Sequence, residues 1–126
     1  MILTPLWLWI AAGFAFLTWC VHTFLGQIWI VPPLLKAPMH VVPKYTHFYC
    51  WHLVTLMIAA LVAAFVWAAL DPDAWEVAML ATVISAIACL WSVALTATVR
   101  RNKPWQMPPW ALFGFTTGAA LMALVH

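Results

Sequence analysis

LVTLMIAALVAAFVWAALDPD, Leu53 to Asp73, is the stretch on which the fold turns. From Leu53 to Leu70 there is no charge and a single hydroxyl, Thr55. The apolar residues cover every helical face and do not alternate, so the run fits neither an amphipathic surface helix nor a half-buried strand. An uncharged run of 18 or more residues reads as a helix that crosses a bilayer. Asp71-Pro72-Asp73 ends it. An acidic cap, a proline at the first helical position and Glu76 three residues after Asp73 predict the start of a second helix. The turn is short, so the two helices should be antiparallel neighbours.

Working outward, the same pattern recurs. The second apolar segment extends back to about Tyr45, and the third runs from about Ala74 to Val99. Segment one runs from about Thr4 to Val31, with Pro5 in its first turn, and should stop at Pro32-Pro33, which cannot donate the next backbone hydrogen bonds. Segment four starts near Pro109 and runs to His126. The expectation is a single transmembrane domain over residues 1–126, an all-α four-helix bundle with up-down connectivity and helices at about 4–31, 45–70, 74–99 and 109–126.

Composition agrees. Hydrophobic residues make up 67% of the 126 and charged residues 6%, where a water-soluble domain typically carries about 25% charged. That balance excludes a soluble globular fold and a disordered chain. No Lys or Arg precedes the first apolar run, so a signal-peptide n-region is not expected. Cys20, Cys50 and Cys89 lie in apolar stretches, with no C-x-x-C, and read as small packing residues. A net charge of +2, scattered along the chain, argues against nucleic acid as a partner.

Charge predicts orientation. Lys36 and Lys44 fall in the first connection, and Arg100, Arg101 and Lys103 in the third; Asp71, Asp73 and Glu76 are grouped in the second. The positive-inside rule then places both basic connections in the cytoplasm and both termini on the non-cytoplasmic side, in a bacterial inner membrane. Trp7, Trp9, Trp67 and Trp75 fall near the outer boundary, and Trp29, Trp105 and Trp110 near the inner one, the levels an indole favours. Trp19, Trp51 and Trp91 lie deeper and need a packing or ring-stacking role.

Small residues mark helix contacts. Gly114 and Gly118 form a G-x-x-x-G in segment four, and Ala81, Ser85 and Cys89 recur at four-residue steps in segment three. Such grooves let backbones approach where apolar attraction between helices is absent. They fit an internal seam, a homo-oligomer, or docking to other membrane subunits.

No acid or base sits deep in a span, which argues against an ion-coupled pump. Histidines stand out instead. His22 and His52 fall at one depth, with Ser92 near that layer, while Gln27 and His47 share a second layer closer to the cytoplasm. Three readings stay open. The imidazoles form a structural polar cluster; or they ligate a metal or cofactor, haem b between two helices or copper; or they serve a proton or quinone site. No residue is assigned a catalytic role.

Three stretches, His22-Thr23-Phe24-Leu25-Gly26-Gln27, Trp51-His52-Leu53-Val54-Thr55 and Pro109-Trp110-Ala111-Leu112-Phe113, resemble a group of small, uncharacterised four-span bacterial inner-membrane proteins. In that group a His-Ser-x-Leu-Gly-Glu-like turn ends helix one and a Trp-His-Leu-Thr-like turn opens helix two. Here Gln27 stands in place of the expected Glu, and the basic residue expected before the Trp-His pair is missing. The resemblance implies no activity, only that His22 and His52 are the positions to test. The sequence thus points to an accessory or assembly subunit of a larger membrane complex. The alternative is a redox protein holding haem b, quinone or copper through His22 and His52.

Overall fold

A computed structural model of the chain describes residues 3–99, 102–106 and 109–125. All regular structure among them is helical. α1 spans Leu3–Cys20, a π-helical segment spans Val21–Leu25, α2 spans Gly26–Trp29 and α3 spans Val31–Lys36. α4 covers Val41–Leu70, α5 covers Trp75–Val99, a short 3-10 turn covers Pro104–Gln106, and α6 covers Pro109–Val125. Three helical stretches, Thr4–Lys36, Val41–Leu70 and Trp75–Val99, are long and apolar enough to cross a membrane; α6 is shorter.

The prolines do not end the first stretch at residue 31. Pro32 and Pro33 sit in the first turn of α3, where a missing N–H breaks no helical bond. The chain passes through Ile30, whose N–H reaches the Gly26 carbonyl at 2.9 Å, and Leu34 N–H reaches back to the Ile30 carbonyl at 3.1 Å. α3 ends where Ala37 turns extended, at φ −60 and ψ 138, as the residue before Pro38 prefers. α4 begins four residues before Tyr45. His40 caps it, its Nδ1 accepting the Val42 N–H at 3.3 Å, and Pro43 lies in the first turn.

The turn between α4 and α5 is organised by Asp71 rather than by an Asp73–Glu76 capping box. Asp71 Oδ1 accepts the Asp73 N–H at 3.0 Å and Oδ2 accepts the Trp67 indole N–H at 3.4 Å. α5 then starts at Trp75, with Glu76 in its first turn, where the helix dipole favours an acid.

α1 packs most extensively against α6 and α4, and α5 against α6; the α4–α5 contact is slighter despite the short turn. Alanines make the close approaches: Ala11, Ala12 and Ala15 of α1, Ala78 and Ala81 of α5, and Ala119, Ala120 and Ala123 of α6. Leu8, Ile58, Leu61 and Phe65 fill the remaining space, and Phe14 stacks on Phe115 at 5.3 Å to tie α1 to α6. The molecule is apolar outside as well as inside. Only 28%, 22% and 22% of the most apolar windows of the three long stretches are buried. Leu56, Leu80, Leu90 and Trp91 are among the large side chains that face outward.

The small-residue stripe of α5 meets α6. Ala81 and Ser85 are buried, and Ser85 Oγ and Thr117 Oγ1 share a hydrogen bond of 2.9 Å. Cys89 Sγ donates to the Trp110 carbonyl at 3.5 Å and lies against Gly114. Gly118 faces open space, so the G-x-x-x-G is only half engaged. Five other threonine hydroxyls are satisfied within their own helices. Thr18, Thr55, Thr82, Thr96 and Thr116 each donate to the carbonyl four residues back.

Candidate functional site

The π-helical segment is the main irregularity within the long apolar stretches among the described residues. The Gly26 N–H bonds to the Val21 carbonyl, five residues back. Such a bulge widens one turn and re-aims the side chains around it, and these bulges are frequent at functional sites. His22 lies within it. Its Nε2–H donates to the Trp51 carbonyl of α4 at 3.2 Å. The imidazole also lies flat on the Trp51 indole, with centroids 4.0 Å apart and planes inclined by 17°.

Gly26 makes that arrangement possible. A Cβ there would run into Cζ2 and Cη2 of the Trp51 ring. The indole is therefore seated against bare backbone on one side and covered by His22 on another. Thr55 Oγ1 donates to the same Trp51 carbonyl at 3.1 Å. Thr23, also in the bulge, has a buried hydroxyl with no partner among the described residues. Leaving such a group unpaired costs about 1–3 kcal/mol.

Beside this unit lies a cavity of about 540 Å³. Its first wall is the bulge and α2, with Val21, His22, Leu25, Gly26 and Trp29, and Thr18 one turn before. α4 supplies Trp51, Val54 and Ile58; Trp105 with Pro109, Leu112 and Phe113 closes the far side. Trp29 and Ile30 share this cavity with Trp105 and Pro109, so the first and third connections lie at the same end of the molecule. The lining is apolar and aromatic, with Thr18 and His22 as its polar side chains apart from the indole N–H groups. A pocket of a few hundred Å³ with a small number of placed polar groups is the usual form of a small-molecule site.

Of the cofactor-site candidates His22, His52, Gln27, His47 and Ser92, His22 alone lines the cavity. His52 is exposed and sets its ring edge-on to Phe48 at 4.7 Å. His47 is exposed, its Nδ1–H donating to the Pro43 carbonyl. Gln27 is exposed, and Ser92 is half-buried with its carbonyl accepting Thr96 Oγ1 at 2.8 Å. Among the described residues no group of three or more His, Cys, Asp or Glu is placed to hold a metal ion. Trp29, Trp105 and Thr18 were not read as site residues. The first two have the spacing of boundary tryptophans, and their convergence depends on how the third connection folds back. Searches of family models, curated proteins and solved structures find nothing similar to this chain.

Proposed function

We propose that this chain is an integral membrane protein that holds a lipophilic, ring-bearing molecule beside His22. In this reading the helices form an antiparallel four-helix bundle in a bacterial inner membrane, with both termini on the non-cytoplasmic side. The observation that carries the reading is the cavity of about 540 Å³, walled by Trp29, Trp51, Trp105 and Phe113 and presenting one imidazole. Leu25, Trp29, Ile30 and Val54 are wall residues and are also exposed on the apolar exterior, so the mouth opens where lipid would lie. A single aromatic ring of the quinone or hydroquinone class fits these walls with His22 as the one imidazole; haem b between two imidazoles would also draw in His52.

The test is to purify the protein in mild detergent, record its visible spectrum and identify extracted lipophiles by mass spectrometry. The expected result is a bound lipophile near one per chain, lost when Val54→Trp fills the cavity. A Soret band lost in both His22→Ala and His52→Ala would select haem instead. A colourless protein that releases nothing but bulk lipid would remove the ligand reading.

A second reading, an accessory or assembly subunit of a larger membrane complex or homo-oligomer, is favoured by the outer face of α5. There Leu80, Val83, Ile87, Leu90 and Trp91 are exposed at helical spacing. Stoichiometric partners after mild solubilisation support it; a monodisperse monomer argues against it.

A further inference from the structure

We infer that the molecule held beside His22 carries a hydroxyl on its ring: a hydroquinone or other phenolic head on an apolar tail. This rests on the ligand-holding reading above and goes further by fixing the polarity of the contact. A carbonyl oxygen has no proton, so in the bond between His22 and Trp51 the Nε2–H must donate. With the ring neutral, Nδ1 is then a bare acceptor. No described group bonds it. Thr23 Oγ1 is the buried, unpaired side-chain polar atom among the described residues, so Nδ1 keeps surface open to approach.

The other polar side chain of the lining points the same way. Thr18 Oγ1 spends its proton on the Phe14 carbonyl at 2.7 Å and has only lone pairs left. His22 and Thr18 therefore both ask for a donor. A ring hydroxyl supplies one, and its oxygen can still accept from an indole N–H of the wall. A quinone carbonyl set against Nδ1 would oppose two lone pairs and leave both unsatisfied. The flat walls, Trp51 above all, suit an aromatic ring, and the exposed outer surfaces of Leu25 and Ile30 give a tail a path to the exterior.

Three soluble-tail probes separate the possibilities: decyl-hydroquinone kept reduced under argon, its dimethyl ether, and decyl-benzoquinone. Binding to the full-length protein in detergent is followed by quenching of tryptophan fluorescence. The hydroquinone should bind about five- to tenfold more tightly than the ether or the quinone, the worth of one hydrogen bond. His22→Phe keeps a flat ring against the Trp51 indole but has no acceptor, and it also loses the Nε2–H that reaches the Trp51 carbonyl. It should bring the three probes to parity, with a lowered thermal unfolding midpoint reporting the lost Trp51 contact. Val54→Trp should abolish binding of all three. Equal binding of the three probes to the native protein, abolished by Val54→Trp, would overturn the hydroxyl inference and leave the cavity reading standing. No binding of any probe, with only acyl lipids retained, would overturn both. The ether comparison needs no variant, so a poorly folding His22→Phe does not spare the inference.

Discussion

Replacing Gly26 by alanine tests whether the unit beside the cavity is a built feature. A methyl at that position lands on the edge of the Trp51 ring, which must swing away or push the bulge off α4. Forcing a carbon into a packed contact costs about 1–3 kcal/mol. If the indole moves, its stack on His22 goes with it, worth ~0.5–1.5 kcal/mol where aromatic rings pair. The Nε2–Trp51 hydrogen bond is worth ~0.6 kcal/mol on average between membrane helices. Alanine's better helix propensity returns up to ~1 kcal/mol. The net expectation for Gly26→Ala is a loss of about 1–4 kcal/mol. Gly13→Ala and Gly118→Ala are the controls, since a Cβ at either meets nothing within 4 Å. They should be neutral or slightly stabilising. The assay is equilibrium unfolding in mixed micelles, followed by tryptophan fluorescence and helical dichroism. Gly26→Ala combined with Trp51→Leu should recover part of the loss, as coupling between contacting residues requires. Equal stability of Gly26→Ala and Gly13→Ala would refute the close seating of Trp51.

Three further outcomes follow from the geometry. The Ser85–Thr117 hydrogen bond should give a coupling of about 0.6 kcal/mol, at most ~1.7, in a double-mutant cycle with alanine at both positions. Asp71→Ala removes the acceptor of both the Asp73 N–H and the Trp67 indole. It should lower stability by about 1 kcal/mol, read as a drop in the unfolding midpoint, whereas Asp73→Ala should have little effect. Moving Arg100, Arg101 and Lys103 into the Asp71–Glu76 turn should disturb insertion, scored by the accessibility of tags at the two ends; tags on the native protein found in the cytoplasm would overturn the proposed orientation.

Fold class was legible because a long uncharged run such as Leu53–Leu70 has few alternatives. Helix ends were less so. The Pro32-Pro33 pair reads equally well as a stop and as a first turn, and Ile30, which decides between them, carries no sequence signature. The cap supplied by His40 is unusual, which is why α4 starts earlier than its apolar pattern announces. At the site, depth matching puts His22 level with His52, one residue off its actual partner; a helix turns about 100° per residue, so one step in register changes which side chain faces the partner. Trp51 rather than His52 meets His22. Trp51 already needs a packing or ring-stacking role in the sequence, but nothing there names Gly26 and His22 as its partners. The π bulge that aligns them has no composition of its own.

The lengths of the helices are unequal, and that has a mechanical outcome. The stretch Thr4–Lys36 would extend about 50 Å as a straight α-helix and α4 about 45 Å, while α6 reaches only ~26 Å. If all four crossed a bilayer, hydrocarbon about 30 Å thick could not match both, so the long members would lean and the leaflets would be pinched beside the short one. Fatty chains would then form an asymmetric collar, thinnest along α6, and the energy of that dent would give neighbouring thin-waisted proteins a reason to gather there.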